Sequence, residues 1–396
     1  MKTSKTVGII CEYNPFHSGH RYQIEEMRRL GFDRVVCVMS GNTVQRGEFA
    51  VADKYARAEM AVKGGADLVL ELPCPYSASS AEFFALAGVR ILDSAEVDAI
   101  CFGSEWGDME KLQKAADICD SDTFVEIYKN NISAGMGSVK AYFEAYKSIS
   151  GEELPGGAND ILGISYLRAL KKENSKIEPI ALKRKGSGYR EESISNMDEH
   201  PSATMLRKYL CENGADDKFK EIVPKETLEA LASANAPVRM SNLDGAIIAH
   251  LRLVDSARLE GIADVGGGLG EKILSSSHDV TTYEELVSAV SGKNYTEARV
   301  RRAILNILLG VTLDDLKAYP AYTTVLGFNE KGKEILSSLR KKDKIPFLTK
   351  PSDSSALGDC AARQRELDRR ADSLFTIALP NKTSSGEYIK KRPFIK

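Results

Sequence analysis

The sequence predicts an α/β fold, with an N-terminal parallel-sheet domain followed by a mainly α-helical C-terminal domain. Strand and helix patterns alternate up to about residue 183, and strands separated by helices form parallel sheets with right-handed crossovers. After about residue 225 the alternation stops and helical patterns follow one another. The chain has 396 residues, 43% hydrophobic and 28% charged, which is enough for two or three domains with their own cores.

The first predicted strand leads directly into the most informative segment of the chain. The apolar run Val7–Cys11 is followed by the turn signal Asn14–Pro15, by His17-Ser18-Gly19-His20, and by a helical pattern from Arg21 onward. The two histidines should therefore lie at the first turn of a helix. A helix N-terminus carries free N–H groups and a partial positive charge, so it is a natural place for phosphate. Two imidazoles there can stabilise charge that develops on a triphosphate.

The alternative for this segment is an ordinary strand–turn–helix junction with incidental histidines. Two of the five histidines of the chain lie here. Gly19 between them leaves room for a ligand to approach the backbone. These two features favour a binding site over a simple junction.

Further strands and helices alternate through the first half of the chain. The other predicted strands are Arg34–Met39, Ala66–Leu72, Val97–Phe102 and Ile177–Lys183. The predicted helices are Asp53–Lys63, Ser79–Leu92, Thr123–Asn131, Ser138–Ser148 and a segment with Asn159 or Asp160 as its N-cap. Because ligands bind beyond the carboxyl ends of parallel strands, the segments that follow the strands should converge on one site. These segments are Asn14–His20, Ser40–Asn42 with Gln45–Gly47, and Gly103–Glu105.

Three basic segments could bind anions at that site. Arg46 could hold a phosphate or carboxylate through its planar guanidinium, or it could be a solvated loop arginine. The loop Arg184–Tyr189 combines basic residues with glycine. Ser202 or Thr204 could cap the next helix, with Arg207 one turn later at the same end.

The second half of the chain is predicted to be helical, with a boundary around residues 220–240. Its predicted helices are Glu226–Ala234, Leu243–Ser256, Tyr283–Ser291 and Thr296–Leu309. Gly266–Gly270 lacks a preceding strand, so we interpret it as a turn rather than a dinucleotide loop. The predicted boundary divides the chain into two domains. Residues 1–230 are expected to form the catalytic domain, and residues 231–396 are expected to form a mainly helical docking domain, whose candidate contact residues follow.

One segment of the helical half has the composition of an RNA-binding surface. Basic side chains with a nearby aromatic ring suit an RNA backbone and a stacked base; the alternative is a solvated helix face. The candidates are Lys293, Tyr295, Arg299, Arg301 and Arg302. Leu326–Gly332 and Arg340–Lys344 are expected to extend this basic character.

Composition excludes several classes of protein. The net charge of −2 does not indicate a general nucleic-acid binder, so any such surface must be local. No apolar run approaches 18 residues, and the N-terminus shows no secretory segment, so we expect neither a membrane span nor export. Seven cysteines without paired spacing indicate reduced thiols in the cytoplasm. Cys11, His17 and His20 lack a fourth ligand with suitable spacing, which argues against zinc.

Two of these motifs resemble signatures of one superfamily. His-x-Gly-His after an N-terminal strand resembles the nucleotidyltransferases, which use ATP to activate carboxylates or to transfer nucleotidyl groups. The Ser202–Arg207 segment resembles the second signature of that superfamily, a helix start whose arginine closes over the triphosphate. The two segments occur in the expected order, roughly 180 residues apart.

A longer series of motifs resembles a single family, the bacterial tRNA(Met) cytidine acetate ligases. The motifs are G-I-I-C-E-Y-N-P-F-H-S-G-H, V-M-S-G-N-x-x-Q-R-G-E, A-D-L-V-L-E-L-P, F-G-S-E, N-D-I-L-G-I-S-Y, S-A-T-M-L-R and K-N-Y-T-E-A-R-V-R-R. The resemblance implies an ATP-dependent ligase that activates acetate as acetyl-adenylate and acetylates N4 of the wobble cytidine in elongator methionine tRNA. The polar stretch before Ser202 is shorter here than is usual in that family.

The resemblance also implies roles for individual residues. ATP contacts are implied for Ile10, Cys11, Glu12, Tyr13, Asn14, Pro15, Phe16, His17, Ser18, Gly19, His20, Arg21, Tyr22, Gln23, Gly103, Asn159 and Arg184. His17 and His20 are the expected catalytic residues, and Ser202, Thr204 and Arg207 are expected at the β- and γ-phosphates. Mg²⁺ is expected to accompany ATP, although no carboxylate pair identifies its protein ligands. The rival functions are a small-molecule adenylyltransferase acting on a mononucleotide or phosphopantetheine, and a non-enzymatic RNA-binding protein.

Overall fold

The computed structural model describes residues 4–154, 157–184, 202–339 and 345–396. Its strands are β1 (Thr6–Cys11), β2 (Arg34–Ser40), β3 (Thr43–Val44), β4 (Glu48–Phe49), β5 (Leu68–Leu72), β6 (Ala99–Ser104), β7 (Glu178–Lys183), β8 (Thr323–Phe328), β9 (Phe347–Leu348) and β10 (Phe394–Ile395).

The helices are α1 (Ser18–Arg29), α2 (Lys54–Lys63), α3 (Ala81–Ser94), α4 (Met109–Cys119), α5 (Asp122–Ser133), α6 (Ser138–Ser150), α7 (Ala158–Lys172), α8 (Ala203–Asn213), α9 (Asp217–Ile222), α10 (Lys225–Ser233), α11 (Asp244–Leu253), α12 (Leu269–Ser276), α13 (Tyr283–Val290), α14 (Glu297–Leu309), α15 (Leu313–Lys317), α16 (Glu330–Leu339), α17 (Asp359–Ala378) and α18 (Ser385–Tyr388). Among the described helices, none is both long enough and apolar enough to cross a membrane.

The architecture is built on one sheet with the strand order β10-β8-β5-β2-β1-β6-β7, and β9 pairs with β8. The five strands predicted from the sequence are present and parallel: β1 pairs with β2 and β6, β2 with β5, and β6 with β7. In chain order, β2 and β5 are added on one side of β1, and β6 and β7 are then added on its other side. The reversal point between β1 and β6 is where ligands bind in sheets of this kind.

Helices cover both faces of this sheet, which explains why the strands are apolar runs rather than alternating patterns. Successive side chains of a strand still enter opposite faces. Ile9 lies in one core, and Ile10 lies in the other, with α3 and α7. The same alternation separates Cys37 from Val38 in β2.

The C-terminal third contributes strands that the sequence pattern did not predict. β8 is antiparallel to β5, and its Val325 and Leu326 are fully buried. The expectation that Leu326–Gly332 extends a basic surface is therefore wrong for Leu326–Phe328, which lie in the sheet. A short apolar run cannot be assigned by periodicity alone, because its pairing depends on a distant strand. The predicted basic tract Arg340–Lys344 lies outside the described residues, and the division of the chain at residue 230 stays a prediction.

A buried ionic network attaches α17 to the carboxyl edge of the sheet. Lys54 at the start of α2 pairs with Glu71 of β5 at 2.8 Å and with Asp372 of α17 at 3.0 Å. The Asn42 side chain donates to Asp372 at 2.8 Å and to the Tyr388 hydroxyl at 2.7 Å. The loop after β2 is thus joined to both C-terminal helices.

Asp368, one turn before Asp372, should make stability depend on pH. The Tyr322 hydroxyl donates to its Oδ2 at 2.7 Å, whereas its Oδ1 is buried without a hydrogen-bond partner. Burial, followed by the charge of Glu71, raises the pKa of Asp368 well above its usual range. A carboxyl whose folded pKa exceeds its unfolded pKa makes the free energy of unfolding fall as pH rises between the two values.

Asp368→Asn should remove this decrease of the free energy of unfolding with rising pH, because the asparagine amide does not titrate in this pH range. The stability of the variant relative to the wild type should increase by about 1.4 kcal/mol per pH unit above about pH 4, until the folded pKa is reached. Urea unfolding between pH 5 and 8 measures this slope. Asp117→Asn is the control, because a hydrogen bond from Lys171 lowers the pKa of Asp117. That carboxyl is ionised in both the folded and the unfolded state above about pH 5, so its substitution should change the stability by an amount that does not depend on pH in this range. A pH-independent difference for Asp368→Asn would contradict the interpretation.

Candidate functional site

His17 and His20 form the N-terminal cap of α1. His17 is the N-cap residue, and its Nδ1 accepts a hydrogen bond from the Gly19 N–H at 3.1 Å. His20 lies three residues later, and its Nδ1 accepts from the His17 N–H at 3.3 Å. This is a capping box in which histidines replace the usual Ser/Thr and Glu. The predicted position of both histidines at the first helical turn is confirmed.

The cap determines which ring nitrogens can face a ligand. Because both Nδ1 atoms accept hydrogen bonds, each neutral ring carries its proton on Nε2. The two rings stack with centroids 3.7 Å apart. The pair therefore presents Nε2–H donors rather than acceptors.

His20 is held neutral by its surroundings. Burial first, and then the neighbouring His17 and the charge of Arg184, lower the pKa of His20 well below its usual range. Tyr13 and Phe16 line the same ring, with centroids 4.7 and 5.7 Å away. His20 can thus donate a hydrogen bond to developing negative charge near pH 7 without being a cation.

Gly103 near the end of β6 and Arg184 directly after β7 lie at the carboxyl edge of the sheet, on the β6 side of the reversal point, and the charge of Arg184 acts on His20. The Arg184 N–H donates to the Ser104 carbonyl at 3.0 Å, which continues the β6–β7 ladder. A Cβ on Gly103 would lie 3.5 Å from Cγ of Arg184, so the arginine stem passes over this glycine. The rest of the predicted basic loop, Lys185–Tyr189, lies outside the described residues.

Arg207 approaches the site from α8. Its guanidinium donates to the Asn14 carbonyl at 3.0 Å, in the loop before the histidines, and to the Thr204 hydroxyl at 3.2 Å. Ser202 is the N-cap of α8, and its hydroxyl accepts from the Met205 N–H at 3.3 Å. The predicted capping role of this segment is confirmed, and the arginine lies beside the strand-to-helix junction.

The turn after β6 is organised by Asp160, which the sequence analysis considered only as a helix cap. That expectation is wrong, because Gly157 is the N-cap of α7 and Asn159 and Asp160 lie inside its first turn. Fully buried Asp160 accepts hydrogen bonds from the Ser104 hydroxyl and from the Glu105 and Trp106 N–H groups. The carboxylate shapes the Gly103–Trp106 turn through these bonds, which pack α7 against β6.

Glu105 orients the side chain of Asn159. The Asn159 amide nitrogen donates to Glu105 Oε1 at 2.6 Å, and the Asp160 N–H donates to Oε2 at 3.0 Å. A carboxylate can only accept, so the amide oxygen of Asn159 must point away from Glu105. Asn159 therefore offers an acceptor to any ligand bound at this edge.

Many residues of the predicted Ile10–Gln23 segment serve the fold. Tyr13, Asn14, Pro15 and Phe16 are buried, as is Ile10. Arg21 pairs with Glu226 of α10, and the Gln23 amide donates to the Cys101 carbonyl at 3.2 Å. These side chains shape the junction, so a ligand there would meet chiefly the two histidines and the backbone.

The predicted RNA-binding residues on α14 are engaged with protein groups. The Arg299 guanidinium donates to the carbonyls of Asp264 and Gly266, and it lies 5.5 Å from the ring centroid of Tyr295. Arg302 pairs with Asp264 at 3.0 Å, and Arg301 pairs with both Glu48 and Glu284 at 2.8 Å. Lys293 is exposed in the loop before the helix. RNA binding by these residues stays a prediction.

Glu48 was not predicted as a site residue, whereas Glu105 and Glu12 were included only as members of the Gly103–Glu105 segment and the ATP segment. Glu12 Oε1 accepts from the Gln45 N–H at 2.8 Å and ties the Gln45–Gly47 turn to the end of β1. The only local signal was position: Glu48 follows the Gln45–Gly47 segment, and Glu105 and Glu12 lie within predicted segments. Their partners are distant in the chain, so a local pattern could not identify them.

A protein-built metal site is not present in the described part of the chain. No group of three or more His, Cys, Asp or Glu side chains is arranged there to hold a metal ion. The positive charge of the site comes from protein groups, namely Arg184, Arg207 and the N-terminus of α1. Together with two Nε2–H donors, these groups suit a polyanion such as a triphosphate.

The chain resembles known proteins over almost its whole length. A family model described as HIGH Nucleotidyl Transferase matches residues 4–388. Two relatives named tRNA(Met) cytidine acetate ligase come from Acetivibrio thermocellus, 38% identical, and Caldanaerobacter subterraneus subsp. tengcongensis, 41% identical. Each alignment covers 95% of this chain and 96% of the relative.

Solved structures show the same similarity. Thermotoga maritima TmcAL bound with alpha-thio ATP is 30% identical, with a TM-score of 0.89. The apo form of that protein gives a TM-score of 0.92. Each comparison covers 99% of both chains.

Proposed function

Since the chain belongs to the HIGH nucleotidyltransferase family, among the tRNA(Met) cytidine acetate ligases, we propose that it uses ATP to activate acetate and acetylates a cytidine of methionine tRNA. The observation that carries the proposal is the stacked His17–His20 pair, which caps α1 at the reversal point of the sheet. Arg184 and Arg207 add positive charge: the charge of Arg184 acts on His20, and Arg207 contacts the loop before the histidines. The site is therefore built for a nucleoside triphosphate.

In the first step, a carboxylate oxygen of acetate attacks the α-phosphorus of ATP. A new O–P bond forms, the bond to the β-phosphate oxygen breaks, and pyrophosphate leaves. Enzymes catalyse such displacements mainly by positioning the groups and stabilising charge. We assign the His17 and His20 Nε2–H groups to the phosphate oxygens at which that charge develops.

Arg207 is assigned to the β- and γ-phosphates, because its contact with the Asn14 carbonyl holds it beside the histidine turn. Gly103 and Arg184 are assigned to the nucleotide or acetate end of the site. Asn159 offers its amide oxygen to a donor such as a ribose hydroxyl or an adenine amino group. The Ile10–Gln23 segment then contributes through its backbone and the helix N-terminus.

In the second step, the cytidine N4 attacks the acetyl carbon of the adenylate. The C–N bond forms, the C–O bond to the phosphate breaks, AMP leaves, and N4 loses a proton. The nitrogen is a poor nucleophile because its lone pair is delocalised into the ring, which is why an activated acyl donor is needed. We propose the wobble cytidine of elongator methionine tRNA as the acceptor, and such an acceptor implies a cytoplasmic enzyme.

Magnesium would accompany ATP rather than occupy a protein cage. The described residues offer no cluster of three ligands for it. Mg²⁺ usually keeps several waters and binds through substrate phosphates with few protein ligands. A metal bound mainly by ATP is consistent with that donor set, and no step above depends on it.

For the docking surface we propose the loop and the exposed edge of α14. Lys293 is exposed there, and Arg299 lies against Tyr295. Arg302 is a less suitable contact, because its side chain is only 14% exposed and pairs with Asp264. Charge reversal at Arg302 would therefore disturb the fold as well as any RNA contact.

The double variant Lys293→Gln/Arg299→Gln should weaken tRNA binding in a salt-dependent way. If both side chains contact phosphates, the slope of log K against log salt should decrease by about 2, which is about 1 for each contact. Filter binding at four salt concentrations measures it. Lys111→Gln, at an exposed lysine of α4, is the control and should keep the wild-type slope. An unchanged slope in the double variant would place the docking surface elsewhere.

The direct test of the function is acetate-dependent pyrophosphate release from ATP, with and without bacterial tRNA, followed by nucleoside analysis of the RNA. Release together with N4-acetylcytidine is the expected result. Release without RNA modification would indicate a carboxylate-activating enzyme with another acceptor. Turnover only with a mononucleotide or phosphopantetheine would favour the small-molecule adenylyltransferase. No release under any of these conditions would favour a binding protein.

A further inference from the structure

The peptide unit between Phe16 and His17 is hydrogen-bonded at both of its ends. Its N–H, which belongs to His17, donates to Nδ1 of the His20 ring at 3.3 Å. Its carbonyl, which belongs to Phe16, accepts from the Thr227 hydroxyl at 2.8 Å. A peptide unit is planar, so a contact that fixes the carbonyl also fixes the direction of the N–H. The hydrogen bond that reaches the His20 ring is therefore directed in part by a residue of α10.

Thr227 is held firmly in the position from which it donates. It lies in the first turn of α10, is fully buried, and its N–H donates to the Pro224 carbonyl at 2.9 Å. A β-branched side chain also has few rotamers. Phe16 is fully buried as well, and a buried carbonyl that loses its donor is costly because water cannot replace the bond. The Thr227–Phe16 contact is thus a fixed part of the histidine turn.

The neighbouring residue of α10 holds the other side of that turn. The Arg21 guanidinium donates to Glu226 Oε1 from Nε, at 3.1 Å, and from Nη2. The Glu226 side chain is only 9% exposed, and hydrogen bonds between charged partners are stronger than neutral ones. Adjacent residues of α10 thus contact α1 immediately before its first histidine and immediately after its second.

Phe16 and Arg21 occupy the two positions at which helices often carry an apolar staple. His17 is the N-cap, so Phe16 directly precedes the cap and Arg21 is the fourth residue after it. Apolar side chains at these two positions commonly pack together and fix the angle at which the chain enters the helix. The charged Arg21 side chain cannot serve in this way. The two polar contacts from α10 take over the function of the staple.

The contacts also form a continuous chain of hydrogen bonds that ends at the ligand side. The Thr227 hydroxyl donates to the Phe16 carbonyl, and the N–H of the same peptide unit donates to the His20 ring. Hydrogen bonds in such a chain polarise and strengthen one another. The last of them keeps the proton of the ring on Nε2, the atom that we assigned to a phosphate oxygen.

We propose that Thr227 and Glu226 are positioning residues for His20. Thr227 fixes the tautomer and direction of the ring through the peptide unit before the cap, and Glu226 holds the following helical turn through Arg21. This inference rests on the proposed function, in which His20 donates to the phosphates of ATP. It moves Arg21 from the ATP contacts implied by the resemblance to a tether between α1 and α10.

The kinetic test compares variants of neighbouring residues on α10. Thr227→Val removes the hydroxyl but keeps the shape, and it should lower kcat for acetate-dependent pyrophosphate release about tenfold. The KM for ATP should change less than about twofold, because the donor acts on charge that develops in the transition state. Glu226→Gln should lower kcat about threefold, since the Arg21 side chain is 40% exposed. Glu229→Gln is the matched control, because it removes the same charge from a residue that pairs with Lys63, and it should keep the wild-type kcat.

Nitrogen chemical shifts of labelled histidine test the positioning without turnover. In Thr227→Val the His20 signals should move toward the average of the two neutral tautomers, whereas Glu229→Gln should leave them unchanged. Thr227→Ser restores the hydroxyl and should recover most of the loss of kcat and the wild-type signals. If thermal melting shows that Thr227→Val does not fold, Glu226→Gln must still lower kcat and shift the His20 signals for the inference to stand.

Two results would overturn the inference. Unchanged His20 signals and kcat in folded Thr227→Val, with only a lower melting temperature, would make the contact a structural one. Equal losses of kcat in Glu226→Gln and Glu229→Gln would show that the charge of α10 matters rather than its contact with α1. Failure of the proposed function is a separate outcome: the wild type would release no pyrophosphate with acetate, yet the His20 signals would still report the positioning.

Discussion

His20→Ala should lower the rate of acetate-dependent pyrophosphate release by about 10²–10³-fold, the usual cost of removing one preorganised donor from a developing charge. The variant loses the Nε2–H that the capping box holds toward the ligand side. It should still bind tRNA like the wild type, because the RNA surface is proposed on α14. Pyrophosphate release at fixed ATP and acetate measures the loss, and filter binding measures the RNA affinity.

His250→Ala is the matched control, since His250 is exposed on α11, outside the residues assigned to the site. His20→Ala also removes a helix cap, so thermal melting should show a decrease of stability of about 1 kcal/mol without unfolding. Wild-type pyrophosphate release by His20→Ala would contradict the assignment of this residue to catalysis.

The prediction for His20→Ala depends on a neutral His20 ring, and the protonation state of that ring can be measured without enzymatic turnover. Because burial and neighbouring charge lower the pKa of His20 well below its usual range, its ring should remain the neutral Nε2–H tautomer from pH 8 to pH 6. Nitrogen chemical shifts of labelled histidine report the tautomer, and five histidines are few enough to assign by substitution. Protonation of His20 near pH 6.5 would show that the site works with an imidazolium.

Lys54→Met should destabilise the chain by about 3–5 kcal/mol, the range observed when one partner of a buried ion pair is removed. The Lys54 side chain is only 4% exposed and is shared by Glu71 and Asp372. Its loss leaves buried Glu71 and half-buried Asp372 near Asp368 without a cation. Urea unfolding at pH 7 measures the change, and proteolysis should show release of the C-terminal helices before the rest of the chain.

Lys63→Met is the control on the same helix. Lys63 pairs with Glu59 and Glu229, but it lies at the surface, where such pairs contribute less than about 1 kcal/mol. If the free energy of unfolding decreased equally in Lys54→Met and Lys63→Met, burial would not determine how much the Lys54 network contributes to stability.

The nucleotide half of the fold could be predicted because its signals are local. A strand such as β2 is an unbroken apolar run, and α1 begins where a turn is followed by helical spacing. The His17–His20 pair lies within one helical turn, so neighbours in sequence are neighbours in space. The capping of α8 by Ser202 was predictable for the same reason.

The parts that escaped prediction depend on partners far apart in the chain. Asp160 accepts from the Ser104 hydroxyl 56 positions earlier, and Lys54 pairs with Asp372 318 positions later. Thr323–Phe328 forms a strand because it pairs with the edge of β5. None of these pairings produces a periodic pattern in the sequence, because each residue type is ordinary at its own position.

The sequence by itself determined the five parallel strands with the helices between them, the place of the two histidines and the family to which they belong. Only the tertiary structure decided that their Nδ1 atoms face the backbone, that Arg301 contacts Glu48, and that α17 attaches to the sheet edge. The physical reason is the range of the forces involved. Backbone propensity and hydrophobic periodicity act within a few residues, whereas ion pairs and buried hydrogen bonds are chosen by whichever groups the completed fold brings within 3 Å.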